Sequence, residues 1–207
     1  MKKALSAAMI LSFLGPLVVF AGPETSLESF SLAVSGGASY PLGSRFQDTY
    51  FSGLNGGLTI GYRFSPAICA VLDIGYRRHG LDHGLFSSYY SVKGGDLGVF
   101  SIVPGAKIYI PSRERFQVYL LAEAGLFLTT VGELTVSAPG FQGVTRPKET
   151  ESRFGYVLGA GVEYFLMKKI GLWGDFRFTD VFPKSKDGEE KIHLRDYSFR
   201  LGARLLF

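Results

Sequence analysis

Few residues in this sequence could do bond-making chemistry. Its 207 residues include three histidines and one cysteine, Cys69. His79, Asp82 and His83 stand close enough to suggest a metal site or a general base. Their spacing matches no ligand motif, however, and Arg78 to Gly94 reads as a longer loop. The three are therefore expected to be solvated loop residues. No glycine-rich loop follows a strand and opens a helix, so no phosphate cradle is expected either. The sequence implies no cofactor, no metal and no catalytic residue. Cys69 has no partner for an intramolecular disulfide and is expected to be a small buried residue.

A larger set consists of charges embedded in apolar alternation: Arg63, Asp73, Arg77, Lys107, Glu123, Glu163, Asp175, Arg177, Arg200 and Arg204. Leu72-Asp73-Ile74, Val162-Glu163-Tyr164 and Ala203-Arg204-Leu205 are typical. Successive side chains of a strand point to opposite faces, so these charges share one face and their apolar neighbours the other. An isolated charge away from water costs several kcal/mol, so such residues must pair or be hydrated. Both signs are present, which points to an ion-pair network across an interior.

The elements that must position them follow from the same alternation. From Tyr197, apolar residues recur at every second position through Phe199, Leu201, Ala203 and Leu205 to Phe207. Arg200 and Arg204 lie on the opposite parity. Seven earlier stretches read alike, at about 29–40, 54–64, 68–77, 95–110, 116–131, 153–166 and 170–181. Each is about nine residues or more, enough to cross a bilayer at a tilt. Pro104 interrupts the fourth, where a bulge is expected because proline lacks an N–H. The connections alternate long and short. Pro41–Gly53, Arg78–Gly94, Gly132–Ser152 and the charged stretch Phe182–His193 are long. Those at Pro66, Arg113 and Lys168 are tight. Glu133 to Val136 is expected to extend its hairpin beyond the membrane.

This pattern predicts an all-β fold, an eight-stranded antiparallel transmembrane up-and-down barrel with short periplasmic turns and long extracellular loops. A soluble barrel would place its greasy residues inside. Here the greasy parity is continuous and the charged parity is rich in glycine. Residues 1–21 carry Lys2 and Lys3 before an apolar run and end at Val19-Phe20-Ala21, the pattern of a cleaved secretory signal. A membrane-anchor helix is the competing reading, weakened by Gly15 and Pro16. The barrel domain is then 22–207, opening on a short periplasmic lead. The formal net charge of +4, two of it in Lys2 and Lys3, and the lack of a dense basic block argue against nucleic acid as a partner.

The sequence resembles the small outer-membrane barrel group that includes opacity-type, outer membrane protein X-like and OmpA-like transmembrane domains. The segments carrying the resemblance are Gly155-Tyr156-Val157-Leu158-Gly159-Ala160-Gly161-Val162-Glu163-Tyr164, Gly171-Leu172-Trp173-Gly174-Asp175-Phe176-Arg177-Phe178 and Leu201-Gly202-Ala203-Arg204-Leu205-Leu206-Phe207. Ile102-Val103-Pro104-Gly105-Ala106-Lys107 fits as well. The resemblance implies contact with outer-membrane lipids and lipopolysaccharide. It also implies that the barrel assembly machinery reads a terminal aromatic, at Phe207. No C-terminal peptidoglycan-binding domain is expected. Some barrels of this size are lipid A deacylases, but their His-x-Ser pattern is missing at all three histidines.

The expectation is therefore a non-enzymatic outer-membrane protein with a structural or surface-interaction role through its extracellular loops and an unidentified partner there. The alternative is a narrow channel or a binding barrel for small hydrophobic molecules. By depth, Arg63, Lys107, Glu163 and Arg204 fall near the periplasmic end, and Asp73, Glu123, Asp175 and Arg200 near the middle. Arg77 and Arg177 are expected further out, beside Leu97, Val99, Val103, Phe127 and Val157. Those five apolar residues would either form a vestibule or simply fill the interior.

Overall fold

The computed structural model describes residues 29–86, 89–110, 115–183 and 193–207. The expected leader over 1–21 and the lead over 22–28 lie outside them. So do 111–114 of one tight turn and 184–192 of the charged loop.

Eight strands close into an antiparallel barrel. They are β1 (Ser29–Leu42), β2 (Gly53–Ser65), β3 (Ile68–His79), β5 (Leu97–Tyr109), β6 (Phe116–Val131), β9 (Glu149–Phe165), β10 (Ile170–Val181) and β11 (Leu194–Leu206). Each pairs with its neighbour in sequence around the barrel. The seam joins β1 to β11 in one unbroken register, from Ser31 opposite Leu206 to Leu42 opposite Arg195. Closure leaves no barrel edge unpaired, which a bilayer demands because it offers backbone groups no water.

Exposure along the strands is inverted relative to a water-soluble protein. In β6, Leu120 and Leu126 are more than half exposed, whereas Glu123 between them is buried. Val34, Phe176 and Leu201 are also more than half exposed, while Lys107 and Glu163 are fully buried. An apolar band of this extent suits hydrocarbon and not water. Inside, glycines make room for the largest rings. A Cβ on Gly161 would lie 2.6 Å from the Tyr119 ring, and one on Gly202 the same distance from Trp173.

Of three local expectations, two are corrected and one holds. Pro104 forms no bulge. The β5–β6 ladder lacks pairs at Val103 and Pro104 but resumes at Gly105 opposite Glu123 in the register it held at Ile102 opposite Leu126. Gly125 absorbs the proline instead, since a Cβ there would meet Pro104 Cδ at 3.2 Å and Ile102 O at 2.3 Å. Among the described residues, the barrel ladder shifts register between Arg63 and Ser65, at the tight β2–β3 turn.

Second, residues 134–138 do prolong the β6–β9 hairpin: past a break at 132–133 and 147–148, Leu134 faces Arg146 in the register that Val131 holds with Glu149. β7 (Leu134–Ala138) pairs with β8 (Phe141–Arg146) and with β4 (Ser91–Gly94), giving a separate three-stranded sheet in order β4-β7-β8. Gly94 and Gly95, both at φ near +80°, turn the chain between β4 and the barrel in a conformation that side chains resist.

Third, His79 is no solvated loop residue. It ends β3, is fully buried, and its Nδ1 bonds Phe51 O at 3.1 Å. Asp82 accepts from Gly84 N at the head of a short turn, and His83 Nε2 bonds Gly94 O. The connection 41–53, read as a loop, contains a short helix α1 (Ser44–Thr49).

Candidate functional site

The interior is the one place where charges from all parts of the chain meet. Its floor is built on β5, β9 and β11. Arg204 Nη1 donates to Glu163 Oε2 at 2.8 Å and to Tyr109 Oη at 2.6 Å, and Tyr109 donates to the same carboxylate at 2.9 Å. Arg63, half-buried at the rim, lies over the Tyr109 ring and donates to Gln117 Oε1. Lys107 is fully buried with its ammonium 4.1 Å from the Tyr119 ring centre and 4.8 Å from that of Trp173. The negative faces of the two rings stabilise a cation whose Nζ makes no hydrogen bond.

The middle layer joins five strands. Arg177 donates through Nε to Asp175 at 2.9 Å and through Nη1 to Glu123 at 3.0 Å and Asp73 at 3.4 Å. Arg200 holds Asp73 through both terminal nitrogens, at 2.8 and 3.2 Å. Thr59 and Tyr119 complete the carboxylates of Asp73 and Asp175. Arg177, expected near the outside, thus reaches back into the middle layer, because its long side chain follows three acceptors rather than its own backbone. Above it Arg77 donates to Asp196 at 2.7 Å and to Thr179 at 3.2 Å.

Of the ten charges read from parity, nine are buried and Arg63 is half-buried. Asp196, outside that set, supplies the missing anion. Among the described residues, the buried lumen cations are Arg77, Lys107, Arg177, Arg200 and Arg204, and the carboxylates Asp73, Glu123, Glu163, Asp175 and Asp196. Five balance five. Parity with Ser198 and Arg200 could have revealed Asp196, and parity with Lys107 could have revealed Tyr109.

Leu97, Val99, Val103, Phe127 and Val157 are brought together with Val181 and Phe46 in one buried apolar cluster. Phe46 comes from α1 and carried no signal in the sequence, since it sits in a connection. Its ring packs edge-on to His79 at 5.4 Å. A cavity of about 40 Å³, lined among others by Asp73, Arg77, Phe127 and Arg200, separates this cluster from the middle layer. That is room for one to a few waters. Cys69 is buried beside Val71, Tyr109, Tyr119 and Leu121. Outside the barrel face, Asp180 is buried and holds His193 at 2.9 Å and Arg195 at 3.1 Å, a cluster that sequence reading missed. Phe207 is exposed, and its N–H donates to Phe30 O at 2.9 Å beside the seam.

A closed eight-stranded barrel with a greasy outside and a charge-balanced inside defines the small bacterial outer-membrane barrels. The chain belongs to the outer membrane protein beta-barrel domain family, whose model matches residues 12–207. It is 27% identical over 191 residues to a 22 kDa outer membrane protein of Rhizobium leguminosarum bv. viciae, covering 89% of this chain and 80% of that one. Two solved structures share the fold. Neisserial surface protein A superposes with a TM-score of 0.54 at 18% identity, covering 86% of this chain and 97% of the other. OprG from Pseudomonas aeruginosa gives 0.55 at 15% identity, with 87% and 96% covered.

Proposed function

We propose that this protein is a non-enzymatic structural or surface-interaction component of the outer membrane, working through its extracellular connections. The observation that supports the reading most is the filled interior. Ion pairs span the floor and middle, and Phe46 closes the apolar cluster above them. A bore so occupied has little to transport with, which leaves the β4-β7-β8 sheet and its neighbouring loops as the working surface. The Ser39–His79 contact does not suggest catalysis. It is long at 3.4 Å, both residues are fully buried, and a carbonyl rather than a carboxylate holds the ring. The barrel assembly machinery, reading Phe207, is the expected partner during insertion.

The test pairs planar-bilayer conductance with a binding screen of immobilised proteins and glycans against the refolded barrel. Expected are no steady ion conductance and at least one partner lost when residues 134–146 are replaced by a tight turn. Stable conductance in the parent would overturn the reading, as would a screen unaffected by that replacement.

One observation favours a second reading, the binding of small apolar molecules. A depression of about 450 Å³ at the mouth, lined by Phe46, Tyr50, Leu85 and Leu194, sits over the apolar cluster. Saturable binding of an apolar fluorescent probe, lost in Phe127→Asp and Val99→Asp, would support it. Its absence in the parent leaves the filled interior.

A further inference from the structure

α1 (Ser44–Thr49) covers the extracellular mouth, yet little in its own sequence holds it there. Six residues are too few for a helix to stand alone. Its N-cap is Gly43 at φ +87°, with no capping side chain, and no acidic residue sits in its first turn. Its docking therefore comes from tertiary contacts, and these converge on the end of β3. The Phe51 amide donates to Gly80 O and the Asp82 amide to Thr49 O, both at 2.9 Å. Beside them His79 Nδ1 bonds Phe51 O at 3.1 Å. Phe46, 5% exposed, sets its ring edge-on against the imidazole.

The imidazole of His79 has no good place for a second proton. Ser39, itself fully buried, stands 3.4 Å from Nε2. Leu97 is its neighbour on β5, and β2 closes in with Gly53, where a Cβ would lie 3.0 Å from Nδ1. The charges that act on it are Arg77, two residues below on β3, and Asp196 of β11. Both oxygens of Asp196 already accept from Arg77 Nη1, so neither is free for an imidazolium. Asp48 of α1 is exposed to solvent, and Tyr50, packed against Phe46, is a phenol that stays neutral. A neutral ring fits this site, and a charged one without an anion or water does not.

We propose that α1 is an acid-released cap: protonation of His79 undocks the helix and opens the apolar cluster around Phe127 and Val157 to the extracellular mouth. Released, the ring meets water and takes up its proton near pH 6.5, the value about which a free imidazole titrates. Docked, it resists that proton. Docking is therefore favoured above about pH 6.5 and weakens by up to a factor of about ten for each pH unit below it. Acid thereby joins the depression over Phe46 and Leu194 to the cluster beneath.

The test follows amide exchange in the refolded full barrel at about pH 7.5 and about pH 5, corrected for intrinsic rates, beside an NMR titration of the His79 ring. Protection of the Phe51 and Asp82 amides should fall about tenfold or more between the two, while that of Ile74 in the middle of β3 stays constant. The ring should take up its proton in step with that loss. His79→Asn, whose amide can still donate to Phe51 O but does not titrate, should keep its protection at both pH values. His83→Gln should respond like the parent. The heat-modifiable gel shift checks that each variant folds. Constant protection in the parent would overturn the proposal, as would a response that survives His79→Asn or disappears in His83→Gln. A His79 ring that takes up its proton while both amides stay protected would overturn it as well.

Discussion

Arg204 and Glu163 meet at 2.8 Å on the lumen floor, from β11 and β9, two strands that are not neighbours in the barrel. The intervening strand β10 has Gly171 opposite Arg204, and a Cβ there would lie 3.3 Å from Glu163 Oε1, so the pair reaches across β10 through the space that glycine leaves. Both side chains are essentially inaccessible, and Tyr109 completes the triad. Removing one partner strands a buried charge, at a cost of about 3–5 kcal/mol. Glu163→Gln and Arg204→Met are each expected to lower the unfolding free energy of the refolded barrel, read from urea titration, by that order. The double variant Glu163→Leu/Arg204→Met is expected to recover most of the loss. A double variant as unstable as the sum of the singles would show that the pair does not act as a unit.

Phe207 extends the apolar alternation of β11 to the end of the sequence and its N–H closes on Phe30. Phe207→Ser is expected to reduce the folded fraction in isolated outer membranes, seen as loss of the heat-modifiable gel shift, yet to refold normally in detergent. The split separates recognition during assembly from stability. A parental folded fraction in the membrane would remove the proposed signal.

The connection before β5 has its own pH response. The hydrogen bond from Arg78 holds the Asp96 carboxyl below its usual 3.8. A depressed carboxyl contributes stability above the unfolded value, and that contribution fades as pH falls from about there through the folded value. Asp96 Oδ1 also accepts from the Leu81 amide. Exchange of that amide should therefore rise, relative to barrel amides, as pH falls below 3.8, after correction for intrinsic rates. Asp96→Asn should show raised exchange already at neutral pH. Unchanged protection in the variant would dismiss the clasp.

Topology is tested by short epitope insertions. One at Gly143, in the β7–β8 hairpin, should be labelled on intact cells, whereas insertions at Pro66 and Lys168, in the tight turns, should be labelled only after lysis. The reverse pattern would invert the barrel in the membrane.

The sequence by itself determined which side chains face lipid and which face the lumen. Alternation with a period of two is a property of each strand alone, so Glu123 and Arg200 could be placed inside without knowing their neighbours. The alternation of long and short connections likewise determined strand number and closure. Partnership was decided only by the tertiary structure. Which arginine meets which carboxylate depends on the stagger between strands and on the reach of a long side chain, neither of which is written locally. Arg177 therefore lies one layer deeper than its backbone, and Asp196 completes the charge balance from the end of a strand. The same holds where the chain leaves the barrel. Phe46 caps the apolar cluster because α1 folds inward, and β4 joins β7 although the whole of β5 and β6 lies between them in sequence. Pairing at that separation is fixed by the closed wall that brings the two connections together, and no local propensity encodes it.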